Sequence, residues 1–251
     1  MMKVETRAVW VAVAMAVIVT TGLVNAGFTT IYSEAFDGTG ELHGKTTTVG
    51  GGTWAATNVY GADGVMAGGN ASATLEFTPE AGFVYTLSAS YENVPTSGTI
   101  WIGLGFAQEE ENFGDFFPGD PHGRARFTTA DVIPGYAWMI AHPDNGVQVF
   151  EGPTTTNGTP WDDSFDVGDA YTLTVVLDTT GADWTSTMFF NGAEVHGYTH
   201  DGSLPIDRLG VTKNAAGSTG TLTEFSLTAI PEPTTMVLLG LGGLAVLKRK
   251  R

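Results

Sequence analysis

Two short acidic stretches hold the side chains best suited to binding a cation. Glu109 to Asp120 (EEENFGDFFPGD) combines five carboxylates with Phe113, Phe116 and Phe117, and Trp161 to Asp169 (WDDSFDVGD) places Asp162, Asp163, Asp166 and Asp169 within nine residues. Calcium takes roughly six to eight oxygens, from carboxylates and loop carbonyls, and flexible acidic loops can supply them. Asp115 and Asp120 in the first stretch and the four aspartates of the second are therefore the candidate calcium ligands, although neither stretch has EF-hand spacing. The competing reading of both is charged, solvated loop surface.

Trp101, Tyr136 and Trp138 point to a different chemistry. Sugars stack on exposed aromatic faces, with a few placed polar groups around them. Trp101 alternates with Gly103 and Gly105, whose missing side chains would leave a shallow groove, and Tyr136 and Trp138 stand two apart, on one face of a strand. The competing reading is that these rings belong to the core. The five histidines, His43, His122, His142, His196 and His200, form no metal-ligand spacing. There is no Gly-x-Ser-x-Gly elbow, phosphate-binding glycine loop or dinucleotide fingerprint.

The elements that must position these groups read as short strands. Runs rich in Thr, Val, Phe, Tyr and Trp alternate in polarity and are divided by Gly, Asn, Asp and Pro, the pattern of an all-β domain with many turns. Strands are expected at Ala73 to Phe77, Phe83 to Tyr91, Thr99 to Ala107, Tyr136 to Ala141, Val147 to Phe150, Tyr171 to Leu177, Trp184 to Phe190, Ala193 to Tyr198, Leu204 to Val211 and Thr221 to Thr228. Asn145-Gly146 predicts a type I′ hairpin, and Asn191-Gly192 a further turn. No stretch of the body shows a helical period or an internal repeat.

Many short strands in about 200 residues fit two packed antiparallel sheets. The succession Tyr171 to Leu177, Asp178, Trp184 to Phe190, Asn191-Gly192, ending in Leu222 to Leu227, resembles the back half of a concanavalin-like or laminin-G-like jelly roll. The resemblance implies a terminal strand that pairs back near the first. Jelly-roll glycoside hydrolases of the laminarinase type carry carboxylates spaced Glu-x-Asp-x-(x)-Glu, because strand residues two apart share a face. A retaining mechanism also needs its two carboxyls about 5 Å apart. Here Glu109-Glu110-Glu111 is contiguous, and Glu92, Glu151 and Glu224 are isolated. The protein is expected not to be an enzyme.

The two ends read as addresses. Pro231-Glu232-Pro233, the apolar Met236 to Leu247 and the basic Lys248-Arg249-Lys250-Arg251 follow one another at the C-terminus. Twelve residues at about 1.5 Å each give roughly 18 Å of helix, short of a hydrocarbon core of about 30 Å. The basic cluster suits a cytoplasmic membrane face. This order resembles the PEP-CTERM sorting signal of exported bacterial proteins. The resemblance implies export, transient anchoring in the membrane through the tail, and removal of the tail by an exosortase, with Pro231, Glu232 and Pro233 as the recognition element. At the other end, Lys3 and Arg7 precede the apolar Ala8 to Val19, and Val24-Asn25-Ala26 supplies a cleavage site, which makes a signal peptide removed by signal peptidase.

Without residues 1–26 and 230–251 the body holds five Lys and Arg against twenty-five Asp and Glu, a balance of −20. Nucleic acid is excluded as a partner, since phosphate contacts need clustered cations. The chain has no cysteine, so no disulfide staples it and no thiol does chemistry. The expected architecture is an all-β, two-sheet antiparallel jelly-roll sandwich over residues 27–229, with a short hydrophobic helix at each terminus. The expected role is that of a secreted or cell-surface protein, or one of the extracellular matrix, binding glycan such as exopolysaccharide without catalysis. A purely adhesive module is the alternative, followed by a polysaccharide hydrolase with an unrecognised site. Calcium is the one cofactor in view.

Overall fold

The computed structural model describes residues 27–232 except 58, 63, 67–69, 97–99, 109–134, 153–157 and 215–219. The two expected terminal helices, the signal peptide, Pro233, Asp115 and Asp120 lie outside the described residues. The described strands are β1 (Thr29–Glu34), β2 (Asp37–Glu41), β3 (Ala55–Thr57), β4 (Tyr60–Ala62), β5 (Val65–Met66), β6 (Asn70–Glu76), β7 (Phe83–Glu92) and β8 (Trp101–Ala107). They continue with β9 (Gly135–His142), β10 (Gly146–Phe150), β11 (Tyr171–Asp178), β12 (Thr185–Phe190), β13 (Ala193–Thr199), β14 (Arg208–Asn214) and β15 (Gly220–Pro231).

One sheet runs β1-β15-β7-β11-β12-β13, with β5 also on β15, and the other runs β10-β9-β8-β14-β6-β3. The last strand thus lies beside the first, as the jelly-roll resemblance implied. Thr30–Ala229 forms one compact unit. Alternation decides which side each strand buries. In β7, Tyr85, Leu87, Ala89 and Tyr91 are buried, and in β11 Tyr171, Leu173, Val175 and Leu177 are buried opposite them. From the other sheet, Ile102, Leu104 and Phe106 of β8 and Leu209 and Val211 of β14 join the same core.

Two local expectations change. Asn145-Gly146 is not a type I′ turn: Asn145 N–H bonds the His142 carbonyl at 3.2 Å and only Gly146 has positive φ, +83°. That is a type I turn closed by a glycine bulge, whereas type I′ needs positive φ at both central residues. Asn191 (φ +50°) and Gly192 (φ +79°) meet that requirement, and Phe190 faces Ala193 across them. The strand expected at Leu204 to Val211 starts instead at Arg208, because Pro205 cannot donate to a ladder.

Three polar features sit inside the sandwich. Glu34 is buried and its carboxylate accepts from Phe36 N–H (3.1 Å), Thr48 Oγ1 (3.0 Å) and Trp54 Nε1 (3.3 Å). Tyr91 and Tyr171 face each other across β7 and β11 with ring centroids 5.5 Å apart, and both hydroxyls are buried without a hydrogen-bond partner among the described residues. Burial pushes both phenols up from their ordinary pKa, Tyr91 further through its neighbour Tyr171.

His200 is the third. It follows β13, is buried, and its Nε2 lies 2.8 Å from Ser186 Oγ on β12. Burial lowers its pKa, and the Glu151 carboxylate only partly opposes this. The unfolded chain therefore takes up a proton here, below about pH 6.5, that the folded chain refuses. Stability from this group is fully present above the unfolded pKa and is lost progressively as pH falls from there through the lower folded pKa. The melting temperature is expected to fall on acidification, less steeply in His200→Gln. Parallel profiles for the two proteins would show that His200 does not contribute.

Candidate functional site

The six-stranded sheet has a second face. Trp101 and Ala107 of β8, Trp138 and Ile140 of β9, and Phe150 of β10 form an apolar cluster apart from the main core. Tyr136 and Trp138 were expected to share a face, and they do not. The β8–β9 register pairs Gly105 with Trp138 but Phe106 with Tyr136, so Ala137, at φ +51°, is an extra residue. This bulge sends Tyr136 against the main core and Trp138 to the other side.

The expected groove beside Trp101 is filled. A Cβ on Gly105 would lie 2.2 Å from Trp138 Cβ, and one on Gly103 would lie 3.1 Å from the methyls of Ile140 and Thr212. Trp138 is fully buried, stacks on Phe150 at 3.9 Å, and donates Nε1–H to the Gly152 carbonyl at 3.3 Å. Trp101 is 8 % exposed. Neither ring offers a broad face to a sugar. Tyr136 is half-buried and donates its hydroxyl to Gln108 at 3.5 Å.

An exposed aromatic site lies instead at the edge of this sheet. Residues 158–162 pair against the free edge of β10 through bridges Phe150–Gly158 and Val147–Asp162. Val147 and Asp162 exchange both N–H···O bonds (3.1 and 2.9 Å), Thr159 N–H bonds the Val149 carbonyl, and Gln148 Nε2 donates to the Thr159 carbonyl at 2.7 Å. Gly146 permits this approach, since a Cβ there would sit 1.9 Å from the Asp162 carbonyl oxygen. The segment carries Trp161, which is 36 % exposed and meets the His142 ring edge-on, centroids 5.5 Å apart at 68°.

His142 is 9 % exposed and its Nδ1 accepts the Asp144 N–H at 3.1 Å, which leaves the ring proton on Nε2. Among the described residues nothing accepts that proton. Burial lowers the His142 pKa, against the opposing pull of Asp144, so the ring is neutral near pH 7. The result is a partly exposed indole in edge-to-face contact with a neutral, largely buried imidazole. Sequence reasoning counted Trp161 only as part of an acidic loop. Its position after Thr159-Pro160, outside any alternating run, was the available signal.

The aspartates of that loop do not gather. Asp162 Oδ1 accepts Ser164 N–H (3.0 Å) and Oγ–H (2.5 Å), an Asx turn, while Asp163, Asp166 and Asp169 are exposed. Among the described residues no three histidine or acidic side chains converge on a metal position. Pro231 ends β15, and Pro231 and Glu232 are half-buried. Among the described residues no helix is long and apolar enough to cross a membrane.

Comparison with known proteins places both parts of the chain. The fold is similar to that of an endo-1,3-β-glucanase from Streptomyces sioyaensis, at 11 % identity and TM-score 0.53 over 82 % of this chain and 98 % of that one. It is similar to a Trypanosoma rangeli sialidase at 12 % identity and TM-score 0.50, over 83 % of this chain and 32 % of that one. The Emp47p carbohydrate recognition domain is a looser likeness, at 12 % identity and TM-score 0.46 over 82 % of this chain and 97 % of that one. At these identities the likeness shows the jelly-roll fold alone. None of the curated proteins matches the sequence. Residues 229–251 match the family described as the PEP-CTERM protein-sorting motif, which implies an exported, cell-surface-targeted protein processed by an exosortase. The chain is thus a concanavalin-like jelly roll that carries a PEP-CTERM sorting motif at its C-terminus.

Proposed function

We propose that this is a non-catalytic protein of the cell surface or extracellular matrix whose jelly-roll domain binds glycan at the Trp161–His142 edge. One observation carries the reading: an exposed indole packed edge-on against a histidine whose Nε2–H has no partner among the described residues. Sugar sites combine an aromatic platform with a few placed polar groups in this way. The absence of catalysis is part of the proposal and rests on the sequence, which has no Glu-x-Asp-x-(x)-Glu spacing for a pair of catalytic carboxylates.

Signal peptidase removes residues 1–26 in this account, and the tail holds the protein at the inner membrane until the exosortase acts. A glycan array probed with the full chain tests the reading. Binding to at least one glycan, lost in Trp161→Ala with the fold intact by circular dichroism, is expected. A blank array would leave an adhesive or spacer module, and sugar release from polysaccharide would make it a hydrolase.

Calcium belongs to the proposal through Asp115 and Asp120, since Asp162 is engaged with Ser164. An ion bound only to the folded state adds about 2.7 kcal/mol at a hundredfold excess over Kd. Melting temperature is expected to rise from chelator to millimolar calcium, and to do so still in Asp162→Asn but not in Asp115→Asn. An unchanged melting temperature in the wild type removes calcium.

A further inference from the structure

We infer that the ligand of the Trp161–His142 site is a cationic glycan, a polymer of free amino sugars; this rests on the glycan-binding reading above. The distribution of charge is the first ground. No Lys or Arg occurs between Arg126 and Arg208, while residues 135–207 hold eleven Asp and Glu. That stretch folds into β9 to β13 and the edge segment; Asp144, Asp162, Asp163 and Asp166 lie in the segments that form the site, while others, such as Asp207 beside Ala107, lie at the far end of β8 and β9. A surface of one sign concentrates the opposite sign and repels its own. Uronate and sulfated polymers are disfavoured, and an ammonium-bearing polymer is drawn in.

The local chemistry agrees. An indole face attracts an ammonium group through its quadrupole as well as stacking on a sugar ring. Asp163, two residues beyond Trp161, and Asp166 are both exposed, and no described cation neutralises either. His142 completes the set without opposing it. Asp144 N–H occupies Nδ1, so Nε2–H is left to donate to a ring hydroxyl, and the neutral imidazole adds no positive charge to repel an amine. A protonated histidine in the same place would have selected against this ligand.

Calorimetry on the full chain with four tetramers of equal length decides the matter: glucosamine, N-acetylglucosamine, galacturonic acid and lysine. The glucosamine tetramer should bind about tenfold more tightly than its N-acetylated form, the size of effect a charge-assisted contact supplies, and the margin should shrink as salt is raised. The galacturonate tetramer should not bind. Trp161→Ala should abolish binding of both amino sugars, and Asp163→Asn with Asp166→Asn should reduce glucosamine binding to the N-acetyl level without changing the latter. Equal affinity for the two amino sugars would overturn the cationic class and leave the glycan reading standing. No binding to any of the three glycans would overturn both. Tetralysine binding as tightly, and unaffected by Trp161→Ala, would assign the effect to charge alone and overturn the proposal.

Discussion

Replacing Pro231, Glu232 and Pro233 together by alanine is expected to leave the protein uncut in its native host, held in the cell envelope with Arg251 still attached. The wild type should lose its basic end, with the cut at Pro231-Glu232-Pro233 or in the apolar segment after it. The sequence supplies the reason. As a helix, Met236 to Leu247 with its three glycines would reach only about 18 Å of an about 30 Å hydrocarbon core, short for a permanent span, and under the proposed anchoring the four cations would keep its end on the cytoplasmic side. A segment held in that position would be presented to a membrane protease. Pro231 also ends β15, so the recognition tripeptide begins where the sheet stops donating hydrogen bonds. Intact mass of the exported protein reads the outcome. A secreted wild type ending at Arg251 would make the segment an ordinary anchor.

The second large effect is local to the site. Gly146→Ala is expected to detach residues 158–162 from β10. The new methyl would meet the Asp162 carbonyl oxygen at 1.9 Å and Asp163 Cα at 2.9 Å, backbone atoms that cannot rotate away, at a φ of +83°. Overpacking of this kind costs about 1–3 kcal/mol, and left-handed strain adds about 1–2 kcal/mol. The bonds between Val147 and Asp162 should break, Trp161 should leave the His142 ring, and glycan binding should vanish together with part of the stability. Gly192→Ala is the control. Its φ is +79°, but its Cβ would meet nothing within 4 Å, so only the strain of about 1–2 kcal/mol applies and binding should survive. Equal losses of binding in the two variants would contradict the assignment of the site to this edge.

The long strands were legible because each buries one side. Ile102, Leu104 and Phe106 fall on the core side of β8, and Trp101 and Ala107 on the other, as alternation requires. Alternation fails where an extra residue enters the ladder. Nothing in Tyr136-Ala137-Trp138 announces that Ala137 will be a bulge; that follows from Trp138 lying over Gly105, a contact between strands. The binding edge was illegible for a related reason. Residues 158–162 have no alternation and include Pro160, and they become strand-like only because β10 offers them a free edge. The four aspartates looked like ligands because spacing does not show direction: Asp162 turns back onto Ser164 while the others face water.

Tyr91 and Tyr171 give the chain a built-in clock. A phenol sealed in the sandwich cannot release its proton to hydroxide until the sheets part, and burial holds both of these un-ionised in alkali where a solvated tyrosine would ionise at once. After a jump to high pH, tyrosinate absorbance should therefore arrive in a prompt burst from accessible rings and a slow phase from this pair. The slow phase times the parting of the two sheets over β7 and β11 with no label attached.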